Sequence, residues 1–211
     1  MKERPIIFTD DQVRAILDGR KTQTRRIVKP QPSKDHQYLG HVIESTNRKD
    51  EGKCRWGIGE IPYSTDAIRV RPPYGVPGDR LWVREAHAKD GWQIWFRSDC
   101  DKGPASEVCQ YQDGSDFEGT WAPSIHMPRW ASRITLEITE VRVERVQEIS
   151  GADAKAEGMC SRLAESSSLL GPAGSYKDNF RTAWNSINGH GSWDENPWVW
   201  VVEFKRQEVQ S

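Results

Sequence analysis

The segment Thr9-Asp10-Asp11-Gln12-Val13-Arg14-Ala15-Ile16-Leu17-Asp18-Gly19-Arg20-Lys21-Thr22-Gln23-Thr24-Arg25-Arg26-Ile27-Val28 holds a helix, a stop and a strand. Thr9 with Gln12 three residues on has the form of a capping box, in which hydroxyl and amide each satisfy a backbone N–H. Val13, Ile16 and Leu17 keep helical spacing, and Gly19 suits the left-handed position that closes a helix. The eight residues from Gly19 then carry four cations, two hydroxyls and an amide before the apolar pair Ile27-Val28. Dense positive charge at a helix exit suits an anion or a reacting group. An ordinary solvated turn has the same composition.

Working outward, Pro5-Ile6-Ile7-Phe8 reads as a short strand ahead of the helix. Lys29-Pro30-Gln31-Pro32 breaks any element, and residues 31–66 mix Gly, Asn, Lys, Asp and Ser with few apolar residues, so a long loop insertion is expected there. Ala67-Ile68-Arg69-Val70 is a candidate strand stopped by Pro72-Pro73. Pro77-Gly78-Asp79 is a turn leading into the strand Arg80-Leu81-Trp82-Val83-Arg84-Glu85. Residues 92–97 give another strand, and residues 98–120 another loop. Ile134, Leu136 and Ile138 alternate with Thr135, Glu137 and Thr139. The apolar phase then slips to Val141 and Val143, so a bulge or bend is expected near Glu140, with Glu137 on the polar face just before it.

Ser150-Gly151-Ala152-Asp153 caps a short helix that runs through Lys155 and Glu157 to Gly158. Residues 159–174 read as a third loop. Tyr176, Phe180, Trp184 and Ile187 keep helical spacing up to Asn188-Gly189. Pro197-Trp198-Val199-Trp200-Val201-Val202-Glu203-Phe204 is apolar on both faces and should be a central, buried strand. The order of elements predicts an α+β fold with a mainly antiparallel sheet, curled or closed into a small barrel, with helices at its ends.

The totals bound the function. A chain of 211 residues fits one domain with insertions, and a net charge of −1 leaves any basic site local. Mean hydropathy is −0.78, no apolar run reaches membrane-spanning length, and no signal core follows the N-terminus, so a cytosolic protein with no membrane partner is expected. Cys54, Cys100, Cys109 and Cys160 lack zinc-binding spacing, so free thiols and no metal are expected. Most of the ten tryptophans should fill the core, with one or two left to face a base.

Residues 121–133, Trp-Ala-Pro-Ser-Ile-His-Met-Pro-Arg-Trp-Ala-Ser-Arg, contain two prolines that forbid regular structure. Cations interleaved with aromatics here suit single-stranded nucleic acid, charge for phosphate and flat faces for bases. A structural crossover whose tryptophans plug the core fits equally well.

Four pieces together resemble the ASCH family, the PUA-like barrel domains named for homology to activating signal cointegrator: the first helix with Gly19 to Arg26, the Pro77 to Glu85 stretch, the strand around Glu137, and the closing strand. The longer form, with residues 121–133 and 192–198, is similar to phage and prophage members. The resemblance implies a small β-barrel with a cleft beside the first helix, suited to a nucleoside or single-stranded RNA, and no cofactor. Some members hydrolyse the amide of N4-acetylcytidine; another is described as a ribonuclease. In the amidohydrolase branch a lysine, a threonine three residues later and a strand glutamate react, and the matching positions are Lys21, Thr24 and Glu137. Arg20, Arg25, Arg26, Arg84, His126, Arg129, Trp130 and Arg133 form the expected substrate- or RNA-facing set. The alternatives are an RNA-binding protein or metal-independent ribonuclease, and a non-catalytic phage structural or interaction protein.

The chemistry sets conditions. A lysine serves as base only if its pKa falls from about 10.4 toward neutrality. Burial and the neighbouring arginines both push it that way. On an ideal strand Lys21 and Thr24 point to opposite faces, so the turn after Gly19 must bend the chain to bring them together.

Overall fold

The computed structural model describes residues 1–58, 67–90, 93–100, 120–160 and 175–207. Trp92, Cys109 and most of the loops expected at 98–120 and 159–174 lie outside the described residues. The strands are β1 (Glu3–Ile7), β2 (Gln23–Ile27), β3 (Gln37–His41), β4 (Cys54–Gly57), β5 (Ile68–Val70), β6 (Arg80–Arg84), β7 (His87–Asp90), β8 (Gln93–Phe96), β9 (Thr135–Arg145) and β10 (Trp198–Arg206). The helices are α1 (Asp10–Leu17), α2 (Gly151–Ala156) and α3 (Tyr176–Asn188). The fold is α+β. A five-stranded sheet runs β1-β6-β9-β10-β2, beside a three-stranded sheet β3-β4-β5 and the hairpin β7-β8. Among the described residues only β1 and β6 pair in parallel; every other ladder is antiparallel.

Alternation along β10 divides two cores. Trp200, Val202 and Phe204 face Ile6, Leu81, Leu136, Ile138 and the α1 residues Val13 and Ile16. Val199 and Val201 face Phe180, Trp184 and Trp193 under α2 and α3. The strand is apolar on both faces because both faces are covered. The helices α1 and α2 open on the caps the sequence predicts, Thr9 with Gln12 and Ser150 with Asp153, and Ser175 with Asp178 completes a further capping box at the start of α3. The slip in β9 is a bulge: Glu140 pairs with Glu203 but Ile138 with Phe204, so Thr139 is extra. It returns Val141 and Val143 to the side of Leu136 and Ile138.

Two expectations need correction. The supposed insertion at 31–66 contains β3 and β4, and Cys54 and Trp56 of β4 are fully buried in the first core. Tyr38 of β3 packs on Trp56 with ring centroids 5.4 Å apart. A four-residue strand with two inward side chains gives too short an alternation to stand out among polar flanks. Second, Cys100 is disulfide-bonded rather than a free thiol, while Cys54 and Cys160 are free. Sequence spacing does not report which sulfurs meet in space.

The five-stranded sheet is open between β1 and β2. Its outer strands would stand about 19 Å apart if it were flat, yet Arg26 of β2 donates from Nη2 to the Ile7 carbonyl of β1 at 2.6 Å. The sheet is therefore strongly curled, and a side chain spans the gap left between its edges. Among the described residues no helix is long and apolar enough to cross a membrane.

Candidate functional site

The chain leaves α1 through Gly19, whose φ of +71° is left-handed. The Arg20 and Lys21 N–H groups both reach back to the Ala15 carbonyl, at 2.8 and 2.9 Å, and the Thr22 N–H bonds to the Ala156 carbonyl at 2.8 Å. The basic turn is thus pinned between the end of α1 and the end of α2. Close approach depends on Gly158, with φ +86°: a Cβ there would stand 3.0 Å from the Ala15 Cβ and 3.1 Å from the Lys21 Cβ.

Lys21, opposite Glu157 in an isolated antiparallel bridge, is 2% exposed. Its Nζ donates to Glu157 Oε2 at 2.7 Å and to the Glu157 carbonyl at 2.9 Å, and lies 5.7 Å from the Phe8 ring centroid. Burial presses its pKa below the usual lysine range; the Glu157 charge and hydrogen bond oppose this, and Arg26 and Arg25 add to it. The direction of the shift is the one a lysine base requires.

Glu157 is the residue sequence reasoning passed over. A signal existed: it caps the C-terminus of α2, where the helix dipole disfavours a carboxylate, so its presence there called for a cationic partner.

Glu137 lies outside the Lys21–Glu157 contact. Its carboxylate is 3.2 Å from Lys205 Nζ and accepts from Gln207 Nε2; no contact joins it to Lys21. Thr24 is buried in β2 opposite Val202. It points away from the face that carries Gln23 and Arg25, and its hydroxyl bonds to none of the described residues.

Arg25 is committed internally. Its side chain is fully buried and forms ion pairs with Glu144 at 2.9 Å, Glu157 at 3.4 Å and Asp153 at 3.6 Å. Arg142 joins the same cluster through Glu144, Asp153 and Glu203, and Gln23 donates to Asp153 and Glu203 at 3.2 and 3.0 Å. The cluster docks α2 on the sheet.

Burial raises the Asp153 pKa, but hydrogen bonds from Ser150 and Gln23 and the Arg25 charge outweigh it, bringing the carboxyl to about 2 from 3.8. A carboxyl depressed on folding stabilises the fold above its unfolded pKa and ceases to as pH falls through the folded one. Acid unfolding is therefore expected to lose about 2 kcal/mol between pH 4 and pH 2 through this group. An Asp153→Asn variant should be less stable at neutral pH and show a correspondingly flatter loss of stability across that window.

A cleft of about 470 Å³ opens beside the start of α1, with Ile7, Phe8, Thr9, Gln12, Arg26 and Ile187 in its wall. Arg26 lies 5.2 Å over the Phe8 ring, forms no ion pair among the described residues, and keeps a buried Nε without a hydrogen-bond partner. Burial lowers its pKa. The other cleft cation, Arg97, is neutralised by Asp10 at 2.7 Å. Phe8 is thus shared: one side of its surroundings is the cleft with Arg26, another is Lys21.

The remaining expected contacts separate into held and free. Arg133 grips both oxygens of the fully buried Glu85 at 3.1 Å, pairs with Asp99 at 2.7 Å and lies 3.9 Å over the Phe96 ring. Arg129 pairs with Glu3 at 3.0 Å, and Arg20 with Asp18 at 2.7 Å. Arg84 lies 4.6 Å over Trp82 with a buried, unpartnered Nε. His126 is exposed, and Trp130 is 70% exposed. Comparison of the chain with protein-family models, curated proteins and solved structures gives no match.

Proposed function

We propose that this chain is a PUA-like, ASCH-type protein that takes a nucleoside into the cleft beside α1 and hydrolyses the N4-acyl amide of a modified cytosine. Lys21 handles the proton and Thr24 is the nucleophile. The resemblance gives the carboxylate role to Glu137; the direct contact with Lys21 favours Glu157. In the step the resemblance implies, the Thr24 oxygen, which makes no hydrogen bond to Lys21 in this structure, turns to the acyl carbon as its proton passes to the neutral amine. Collapse expels N4, which takes the proton back, and water then releases acetate from the threonine ester.

One observation carries this reading: an amine buried out of water, held by a single acid and pressed toward its neutral form, behind the ring that lines the cleft. Arg26, in the cleft wall and without an acidic partner among the described residues, offers guanidinium N–H groups to the O2 and N3 acceptors of cytosine. The curl that brings Arg26 to Ile7 supports the PUA-like barrel class. Incubation with N4-acetylcytidine is expected to release cytidine and acetate. A folded sample giving no cytidine at high enzyme concentration overturns the reading.

A second reading, contact with single-stranded RNA, is favoured by Trp130, which stands in solvent next to Arg129, and by Arg84, which has no acidic partner among the described residues.

A further inference from the structure

The outer face of the three-stranded sheet carries a like-charge arrangement that costs stability and that no ion pair among the described residues offsets. Cys54 and Trp56 of β4 and Ile68 and Val70 of β5 turn inward, so Arg55 and Arg69 turn outward. They are direct cross-strand partners in the antiparallel register. Cβ atoms of such partners stand about 5 Å apart, and like charges there repel. Neither forms an ion pair among the described residues. Lys53 and Arg71, the next outward positions, continue the two rows about 7 Å further along. Arg71 is held by the Lys49 and Glu51 carbonyls at 3.3 and 3.0 Å, which orient the guanidinium without neutralising it. Asp50 answers Lys53 at 2.7 Å; its pKa is lowered by the Lys53 hydrogen bond and, more weakly, by the Arg69 charge. Among the described residues, Asp50 is the one carboxylate that forms an ion pair with any of these four cations. Opposite Arg55 on β3 stands Gly40, where an added Cβ would meet nothing within 4 Å, so the space beside Arg55 is open.

We infer that this face binds the phosphodiester backbone of a single-stranded nucleic acid across the Arg55–Arg69 pair. The inference goes beyond the cleft and does not rest on hydrolysis there. A phosphate between two guanidinium forks accepts paired N–H bonds from each and converts their repulsion into attraction. Two rows of cations suit an anion that recurs along a strand.

The test is fluorescence anisotropy with a labelled oligouridylate over a range of salt concentrations, using the full chain. Arg55→Ala/Arg69→Ala is expected to weaken binding about tenfold at low salt and to flatten the slope of log K against log salt by about 1.4, two contacts' worth for a single strand. Arg69→Glu separates binding from folding: it replaces a like-charge pair by an opposite one, so its melting temperature should equal or exceed that of the parent while binding falls at least as far. Polyphosphate should compete and polyglutamate of equal charge should not. Unchanged affinity and slope in the double variant, or equal competition by polyglutamate, overturns the inference.

Discussion

Replacing Lys21 with methionine is expected to lower kcat/KM for N4-acetylcytidine by about 10²- to 10⁴-fold, the range that a positioned acid–base group supplies. Methionine keeps an apolar stem in the space beside Phe8 and removes only the amine. It also leaves Glu157 with Arg25 alone, so activity must be compared on protein shown to be folded. Two carboxylate variants separate the candidate partners by the pH profile. The reaction needs neutral Lys21, so kcat/KM should rise with pH through the Lys21 pKa. The Glu157 charge and hydrogen bond raise that pKa against the effect of burial. Glu157→Gln should therefore lower it further and move the rising limb to lower pH. Glu137→Gln, whose carboxylate answers Lys205 and Gln207, should leave the limb in place. A limb moved by Glu137→Gln and not by Glu157→Gln reverses the assignment.

Arg133→Ala and Arg25→Ala should each cost about 3–5 kcal/mol of stability, the penalty for stranding a buried charge. Glu85 is fully buried, and two of its hydrogen bonds come from Arg133, with a third from the Ser98 hydroxyl at 2.6 Å. Arg25 is the cation shared by Glu144, Glu157 and Asp153. Trp130→Ala is the contrast. Its ring is in solvent, so stability should change by no more than about 0.5 kcal/mol. If the RNA reading holds, affinity for a single strand should fall by about 1–3 kcal/mol, the worth of one base–aromatic stack. Denaturant unfolding beside RNA titration checks both halves. An Arg133→Ala protein that keeps its stability and loses RNA affinity would return that residue to the binding set.

Legibility followed the range of the signal. Helices with caps were readable because a cap is a local device: Thr9 with Gln12, Ser150 with Asp153. The bulge in β9 was readable because one extra residue shifts an alternation long enough to see. β3 and β4 were not, because a short strand in a polar segment is specified by the core it completes, here Trp56 against Trp198 and Trp200. The site divided in the same way. Gly19 to Arg26 marked the turn, and Lys21 is indeed buried there. The carboxylate that meets it comes from a residue 136 positions away, and no periodicity encodes such a meeting. Charge runs misled for a related reason. Arg25 and Arg133 have the composition of ligand contacts, but burial beside acids from other segments makes them internal ties.

The most direct test is the titration of Lys21 itself, followed by NMR on protein labelled at lysine side chains, with Lys21→Met to assign the signal. One lysine resonance, absent from that variant, is expected to titrate below the usual lysine range and to shift when N4-acetylcytidine is added. A Lys21 signal that titrates with the surface lysines and ignores the nucleoside would contradict the account.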